Sequence, residues 1–497
     1  MNLNQVARLM AGFAGFFTLA QLPPLVMAFA RDTQSAATSS TGFVVSIAVG
    51  FVVAGLLWFI GKRDSSKVFR KETIAVAGLS WFLAGTLGAI PFYVTGILGS
   101  PIDAFFEAMS GLTTCGATVL GEPNIRIEDV DASLLLWRSM LQWIGGIGIV
   151  LVFVALLPAM GVTAKNLLSS ESVGVPTESY QPRAIEKARH VAIIYIGMTA
   201  LCSLLLVLVG GFGWFDAVCH AFTAMATGGY STRSSIQSFE SLPGEIVLIV
   251  FMFAAGASLA VIATHFRTGY KCFGKLFRSA EFRIYTASTL LLVSILTISL
   301  MRADKSFGEA LRLAAFNGVS VLTSTGYATA DFQLWPTTAM LALFMAMFVG
   351  ACSGSTAGGF KQVRLLIILR LLGYNLRHFV RPKSIERIKL DNEVLPAAAI
   401  SSIIAIVLLW IVTIMVGALV ISFDPHLDFM SSLAASASMV GSCGPALASP
   451  GMTNIGPFGS YGELEGWTKM VLAVQMVFGR LELLTVLALF SPNFWRR

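Results

Sequence analysis

The stretch VSVLTSTGYATAD, Val319 to Asp331, leads from an apolar segment into a glycine set among hydroxyl residues. The same arrangement occurs in four places, each beginning at an acidic residue: DAFFEAMSGLTTCGAT from Asp103, DAVCHAFTAMATGGYS from Asp216, EALRLAAFNGVSVLTSTGYA from Glu309 and DFMSSLAASASMVGSCGPAL from Asp428. In each copy the segment before the glycine spans about 10 to 15 residues, which is too short to cross a bilayer as a helix. The pattern therefore predicts four internal repeats, each with a re-entrant helix.

The composition places this chain in a membrane. Of its 497 residues, 56% are hydrophobic and only 12% are charged, which is more apolar surface than a soluble core of this size can hide. The 34 basic and 27 acidic residues give a net charge of +7, and the basic residues lie in short loops between apolar stretches. This placement indicates membrane topology and argues against a nucleic-acid partner.

About ten apolar stretches are long enough to span the bilayer, for which a helix needs roughly 20 residues. We place them near residues 9–30, 42–60, 73–96, 133–158, 190–211, 245–266, 283–301, 335–360, 396–421 and 467–490. The first stretch ends in AFA, Ala28 to Ala30, which resembles a signal-peptidase site, but its length and its two prolines favour a retained helix. The predicted fold is an all-α membrane protein with about ten transmembrane helices plus four re-entrant helices.

Charge asymmetry orients these helices. The loop GKRDSSKVFRKE, 61–72, is strongly basic, whereas GEPNIRIEDVD, 121–131, carries one base against four acids. By the positive-inside rule the first loop faces the cytoplasm and the second faces the exterior. Further basic clusters at 267–283, 377–389 and 496–497 also fall inside, so both termini are expected in the cytoplasm.

The glycines of the repeats suggest a chemical role. Aligning the four stretches places one glycine of each in register: Gly116, Gly228, Gly326 and Gly444, with Gly441 as a competing choice in the last repeat. The residues before them are small and modestly polar: Cys115, Thr227, Thr325 and Cys443. Irregular backbone at membrane depth is tolerated only where it is buried in protein or lines water. Because glycine permits positive φ, its neighbours' carbonyls can turn toward a shared axis and replace the hydration shell of a cation.

This unit of helix, short helix, glycine stretch and helix resembles the Trk/Ktr/HKT superfamily of potassium transporters, most closely its bacterial Trk-type pore subunits. The motifs that carry the resemblance span the chain: LTTCGAT, ATGGYST, STGYAT, CGPAL, GACSGSTAGGFK and FGRLEL. The resemblance implies potassium uptake across the bacterial inner membrane, with four pore helices in pseudo-symmetric repeats around one ion path and no covalent cofactor. It implies a potassium-binding selectivity filter at Thr114, Cys115, Gly116, Thr227, Gly228, Thr325, Gly326, Cys443 and Gly444.

The repeats divide the chain into an N-terminal transmembrane hairpin, 1–71, and four pore repeats, 72–165, 166–270, 271–390 and 391–497. All four repeats run in the same orientation, whereas a solute symporter with broken helices has inverted repeats; such a symporter is the alternative function. A membrane-embedded enzyme would need a convergent acid, base, nucleophile or metal set, and the cysteines and histidines show no CxxC or HExxH spacing. The glycines of WIGGIGIV, 143–150, lie within an apolar span, which favours close helix packing over dinucleotide binding.

Two further features fit a gate. GACSGSTAGGF, Gly350 to Phe360, interrupts an apolar span with a poor helix-forming sequence, for which a kink or tight packing is the plain alternative. Arg480 lies inside the last predicted span, where an ionisable residue is costly and faces a cavity or a partner such as Glu482. The resemblance implies an intramembrane loop that obstructs the path below the filter, and an arginine that acts as an electrostatic barrier. The implied gating residues are Gly350, Ser353, Gly354, Ser355, Thr356, Gly358, Gly359, Lys361 and Arg480.

The segment from Gly373 to Leu390 is strongly basic. Topology and contact with anionic lipid of the bilayer would account for this charge. The resemblance implies a docking surface for a cytosolic regulatory subunit of the TrkA type, through which a nucleotide (ATP, ADP or NAD) would act. It also implies a homodimer.

Overall fold

The structure is a computed structural model. It describes residues 2–31, 33–61, 70–121, 125–159, 181–259, 262, 277–382, 388–391, 393–481, 487, 489 and 491–495. Most of the predicted basic loops lie outside these ranges, as do Glu482 and the final two arginines.

The described residues are mainly helical, which confirms the predicted all-α class. The helices are α1 Leu3–Leu19, α2 Leu22–Phe29, α3 Gln34–Ile60, α4 Arg70–Val94, α5 Pro101–Leu112, α6 Ala132–Ala159, α7 Gln181–Leu208, α8 Trp214–Met225, α9 Leu242–Gly256, α10 Ala280–Met301, α11 Phe307–Leu322, α12 Thr337–Val349, α13 Gln362–Val380, α14 Ala397–Ile421, α15 Phe429–Gly441, α16 Gly466–Arg480 and α17 Pro492–Trp495. Single 3-10 turns occur at Ile127–Asp129, Ile236–Phe239 and Phe332–Leu334. A small antiparallel hairpin pairs β1 Lys389–Leu390 with β2 Glu393–Val394, which the sequence did not predict.

Among the described residues, six helical stretches are long and apolar enough to cross a membrane: Leu3–Phe29, Gln34–Ile60, Lys71–Val94, Ala188–Leu208, Ala280–Met301 and Ala397–Ile421. Two predicted spans are interrupted. The first one is divided between α1 and α2, because prolines occupy the opening turn of α2, where a missing N–H is tolerated. The span predicted at 335–360 is helical only to Val349, since the chain turns at Gly350 with a φ of +69°.

In the described part of the chain, four short helices lie between longer ones, as the sequence predicts. These pore helices, α5, α8, α11 and α15, contain 12, 12, 16 and 13 residues. At 1.5 Å per residue they extend about 18 to 24 Å, less than a hydrocarbon layer of about 30 Å. Side chains of Ser100, Ser306 and Asp428 cap three of them at the N-terminus by accepting a backbone N–H.

Helix contacts arrange the four units in a closed ring. Each pore helix packs against the helix before it, in the pairs α4 with α5, α7 with α8, α10 with α11 and α14 with α15. The helix after each pore helix contacts the pore helix of the next unit: α6 with α8, α9 with α11, α12 with α15 and α16 with α5. The last contact joins the fourth unit to the first, so the pore-helix ends are brought around one axis.

Ion pairs fasten neighbouring units at this ring. Arg312 of α11 donates two hydrogen bonds to Glu245 of α9, at 2.7 Å from Nε and 2.6 Å from Nη2. Lys469 of α16 donates to Asp103 of α5 at 2.6 Å. The Glu245 carboxylate is 3% exposed, so its fork-shaped partner compensates for the lost solvation.

We expect Arg312→Met to destabilise the protein, because it leaves the buried Glu245 carboxylate without its partner. The loss should be about 1–3 kcal/mol. The midpoint of thermal unfolding in detergent, followed by intrinsic fluorescence, measures it. Lys305→Met is the matched control, since Lys305 forms an exposed pair with Glu309 one helical turn away, worth roughly 0.3–0.5 kcal/mol. Equal midpoints for the two variants would show that the Arg312 pair does not hold the units together.

Candidate cation pathway

All four pore helices end in the same way. Backbone N–H groups donate to carbonyls five residues earlier: Cys115 to Ser110, Gly228 to Thr223, Thr325 to Ser320 and Cys443 to Ser438, at 2.8–2.9 Å. The residue before each of these donors adopts the left-handed conformation: Thr114, Thr227, Ser324 and Ser442, with φ of 51° to 54°. This is the Schellman ending, which turns the chain sharply away from the helix axis.

One glycine per repeat follows this turn at positive φ. These glycines are Gly116, Gly229, Gly326 and Gly444, with φ of +87°, +80°, +83° and +92°. The sequence alignment placed Gly228 at this level, and the structure corrects it by one residue. Gly228 occupies the position of Cys115, Thr325 and Cys443, because the second pore helix ends at Met225 and its left-handed residue is Thr227. In the fourth repeat Gly441 ends α15, so Gly444 has the geometry shared by the other repeats.

Each of these glycines lies against a carbonyl of the next repeat. An added Cβ at Gly116 would come closer than 3.0 Å to the carbonyl oxygen of Gly228. The same holds around the ring: Gly229 against Thr325, Gly326 against Cys443 and Gly444 against Cys115. No L side chain fits here, both because of the contact and because of the positive φ. The result is a closed ring in which glycines alternate with carbonyls.

The side chains of the carbonyl-bearing residues are turned into the protein. Cys115 and Cys443 are fully buried, and the Cys115 Sγ lies 3.6 Å from the Met439 sulfur. Thr325 Oγ1 lies 2.8 Å from Thr323 Oγ1. These four residues therefore present only their backbone carbonyls to the ring, although their side chains differ.

Polar side chains that sequence reasoning missed support the ring from behind. Gln142 of α6 donates to the Gly228 carbonyl at 2.6 Å and accepts from the Tyr230 N–H at 3.1 Å. Tyr230 donates from its hydroxyl to the Ala117 carbonyl at 3.1 Å, and Tyr461 donates to the Gly444 carbonyl at 2.9 Å. No local sequence pattern predicts these hydrogen bonds, because the two partners of each are far apart in the chain.

A buried ion pair fixes the backbone just beyond the first glycine. Arg138 of α6 donates from Nε to Glu107 Oε1 of α5 at 2.8 Å, and both side chains are almost fully buried. The other Glu107 oxygen accepts from the Val119 N–H at 2.9 Å. Arg138 also stacks on the Tyr230 ring, 4.0 Å from its centroid, and so joins the first two repeats.

A cavity of about 310 Å³ opens on the face of the ring formed by residues that follow the glycines. All four ring glycines line it. Glu128 is the one carboxylate among the described residues of its lining, beside three arginines. Partial burial raises the pKa of Glu128, but hydrogen bonds from the Ser234 N–H and hydroxyl outweigh it and hold the pKa below its ordinary value. Glu128 is therefore ionised in this cavity, beside Arg126, Arg138 and Arg233.

The opposite face is covered by the chain between α12 and α13, residues 350–361, which is not helical. Gly350, Gly354, Gly359 and Lys361 all have positive φ in this segment. The segment contains every gating residue predicted from the sequence except Arg480. Its Gly358 N–H donates to Ser324 Oγ at 2.6 Å, and Thr356 Oγ1 donates to the Met225 carbonyl at 2.9 Å. It therefore contacts the C-terminal ends of the second and third pore helices.

Other contacts anchor this segment at its outer edges. The Ser353 N–H donates to Glu281 Oε1 at 2.5 Å, and the Cys352 N–H donates to the Gly256 carbonyl at 3.0 Å. Lys361 donates from Nζ to the Ala357 carbonyl at 2.7 Å.

Arg480 is 4% exposed and touches the loop directly. Its Nη1 donates to the Thr356 carbonyl at 2.6 Å, and its Nη2 lies 3.3 Å from the Gly145 carbonyl of α6. Gly145 is itself tightly packed, since an added Cβ would clash with the Leu112 carbonyl. The close packing predicted for WIGGIGIV is confirmed at Gly145 and Gly146 but not at Gly148, where an added Cβ meets open space. Arg480 thus links α16, the loop and α6 of the first repeat.

Comparison with known proteins agrees with this geometry. The TrkH family model, described as cation transport protein, matches residues 39–497. This chain belongs to the TrkH family. It is 32% identical to the Trk system potassium uptake protein TrkH of Halomonas elongata, with 100% of both chains covered. It is 31% identical to that of Escherichia coli K12, over 96% of this chain and 95% of the relative.

A solved structure shares the whole fold. The crystal structure of the potassium transporter TrkH from Vibrio parahaemolyticus superposes with a TM-score of 0.89 at 27% identity and covers 100% of both chains. Together with the apolar helices, this makes the chain a multi-pass membrane protein of the same architecture.

We expect Gly229→Ala to reduce cation transport roughly tenfold or more, because a Cβ there meets a backbone carbonyl and a left-handed L-residue costs about 1–2 kcal/mol. Gly228→Ala should cost less, since its Cβ meets the Gln142 side chain, which can shift. Gly148→Ala is the control, with nothing within 4 Å of the added carbon. Rubidium uptake into proteoliposomes compares the three. Full activity in Gly229→Ala with loss in Gly228→Ala would restore the register predicted from sequence.

Proposed function

We propose that this protein takes up potassium across the bacterial inner membrane, and that the ring of alternating glycines and carbonyls is its selectivity filter. The closed ring carries the proposal: it presents the carbonyls of Cys115, Gly228, Thr325 and Cys443 at one level. Carbonyl oxygens replace the water around a dehydrated monovalent cation. A ring held by backbone contacts in all four repeats resists collapse onto a smaller ion.

The relatives support the choice of ion. Those from Halomonas elongata and Escherichia coli are both named Trk system potassium uptake proteins. In this proposal Thr114 and Thr227 complete the filter below the carbonyls.

The gate consists of the intramembrane loop and Arg480. The loop covers the inner face of the ring, so ions leaving the filter must displace it. The Arg480 guanidinium is cationic and is held against the loop by the Thr356 carbonyl. Positive charge buried in the membrane repels a nearby cation strongly, because the local dielectric is low. Movement of the loop would shift this charge as well.

We propose two protein partners. Helix α13 leaves the loop directly and exposes large apolar side chains, among them Leu372, Leu376 and Phe379. We propose that a second copy of the chain covers this face, in a homodimer. The basic segment that follows, toward Leu390, suits a cytosolic TrkA-type regulatory subunit, which would bind the nucleotide. We also propose, from the positive-inside rule, that both chain termini face the cytoplasm.

The test is rubidium uptake into proteoliposomes that contain the purified protein. An imposed membrane potential, negative inside the liposomes, drives the uptake. We expect flux that excess potassium abolishes and excess sodium barely reduces. Liposomes with the Gly229→Ala variant provide the background. Flux that sodium and potassium reduce equally would contradict a carbonyl filter for potassium. Flux driven by a solute gradient instead would favour the symporter alternative.

We expect Arg480→Ala to raise rubidium flux severalfold, because it removes both a positive charge beneath the filter and the hydrogen bond that holds Thr356. Arg480→Lys is the matched control, since it retains the charge but loses the two-pronged contact. An increase in alanine but not in lysine assigns the effect to charge. Lower or equal flux in Arg480→Ala at normal expression would remove the barrier role.

A further inference from the structure

Helix α10 begins with a cap that comes from a distant part of the chain. Its N-cap residue, Ser279, makes no side-chain capping hydrogen bond among the described residues. Instead, Asp391 Oδ1, in the turn between β1 and β2, accepts from the Ala280 N–H at 2.9 Å across 111 residues of sequence. N–H groups of a first helical turn have no partner within their own helix, and Ala280 is 5% exposed, so this donor depends on Asp391. The hairpin therefore holds the start of α10.

The next residue of α10, Glu281, holds the loop at residues 350–361. Its Oε1 accepts from the Ser353 N–H at 2.5 Å. The Lys361 side chain and the Val363 N–H, at the other end of the loop, also face this carboxylate. Glu281 thus lies between the two ends of the loop, one residue beyond the donor that Asp391 caps.

The hairpin is also attached to α13, the helix that leaves the loop. Arg370 of α13 donates from Nη1 to the Lys389 carbonyl of β1. A hydrophobic cluster of its own joins the hairpin to α10, α13 and α14; its buried members are Ala280, Ile367, Leu390, Leu395 and Ile403. Because one cluster packs all of these elements together, a shift of the hairpin displaces the start of α10.

We propose that Asp391 and Glu281 are positioning residues of the gate, through which a displacement of the hairpin releases the loop. The proposal rests on the proposed function, because it takes the loop as the gate. Withdrawal of Asp391 leaves the Ala280 N–H without its partner and loosens the first turn of α10. Glu281 belongs to that turn, so its hydrogen bond to Ser353 weakens as well.

The hairpin lies where a cytosolic partner can reach it. The basic segment from Gly373 ends at Leu390, within β1, and both Lys389 and Asp391 are exposed. A subunit that binds this segment shifts the hairpin without entering the membrane. By linkage, a subunit that binds more tightly to the displaced hairpin favours release of the loop to the same extent.

The experiment follows the loop through Cys352, which belongs to it and is 1% exposed. The full-length protein in detergent is treated with N-ethylmaleimide, and peptide mass spectrometry gives the labelling rate at this thiol, which the docked loop protects. Asp391→Gly, Glu281→Ala and the double variant are compared with wild type. Asp131→Gly is the matched control, since Asp131 Oδ1 accepts from the Ser133 N–H at 2.9 Å in the first turn of α6, at its predicted exterior end.

We expect Asp391→Gly to speed labelling of Cys352 about fivefold, as for the loss of one capping hydrogen bond, and to raise rubidium flux. Glu281→Ala should speed labelling more, because it removes the contact with the loop itself. The double variant should match Glu281→Ala, because Asp391 acts through Glu281. Asp131→Gly should label at the wild-type rate.

Asp391→Asn separates the hydrogen bond from loss of fold. Asparagine retains an oxygen that can accept from the Ala280 N–H, and it tolerates the φ of +45° at this position. Its labelling rate and flux should be those of wild type. Acceleration in Asp391→Asn equal to that in Asp391→Gly would contradict a role for this hydrogen bond.

A wild-type labelling rate in Asp391→Gly would overturn the link between the hairpin and the loop. So would a double variant whose acceleration is the product of the two single effects, since the residues would then act independently. Equal acceleration in Asp131→Gly would overturn it too, because any loosened helix start would expose the thiol. Faster labelling with unchanged rubidium flux would instead show that the loop is not the gate, which contradicts the proposed function.

Discussion

The contact between a positive-φ glycine and the carbonyl of the next repeat constrains everything around it. It occurs at Gly116, Gly229, Gly326 and Gly444, and each contact requires the two pore-helix ends to meet at the same depth. That requirement explains why the pore helices are short, why all four end in the same five-residue hydrogen bond, and why the flanking helices close into a ring. The buried pair of Arg138 and Glu107 and the Gln142 amide keep the backbone from relaxing away from this geometry.

The 350–361 loop breaks the symmetry of the glycine–carbonyl ring. Among the described residues it belongs to the third repeat, and near the ring it contacts Ser324, Met225 and, through Thr356, Arg480. Arg480 comes from the fourth repeat and also lies against the Gly145 carbonyl of the first. A displacement of one loop therefore reaches all four repeats through contacts at their inner ends. Such a displacement would change the contacts of Arg480, because its guanidinium donates to the Thr356 carbonyl of the loop and the Gly145 carbonyl of α6.

The sequence predicted the parts that local spacing encodes. The repeats, the short pore helices and the loop at Gly350 follow from apolar length and from clusters of small residues. The register in the second repeat was wrong by one, because adjacent Gly228 and Gly229 both satisfy the pattern; only the end of the helix at Met225 decides between them. Gln142 and Glu281 carry no local signal, since their partners lie 86 and 72 residues away. Arg138 lies inside the predicted span 133–158 and so carries the same signal as Arg480, but its partner Glu107 lies 31 residues away and local spacing does not reveal it.

The four repeats also act as an internal comparison that separates backbone from side-chain roles. The residues whose carbonyls contact the ring glycines are Cys115, Gly228, Thr325 and Cys443. No side-chain chemistry is common to all four. One position earlier, every repeat has a hydroxyl, although the left-handed φ there favours glycine. A backbone role tolerates any side chain that fits, whereas a side-chain role does not. The uniform hydroxyls at a conformationally unfavourable position therefore indicate a side-chain role there, and two of them, Thr114 and Ser442, have no hydrogen-bond partner within the described residues.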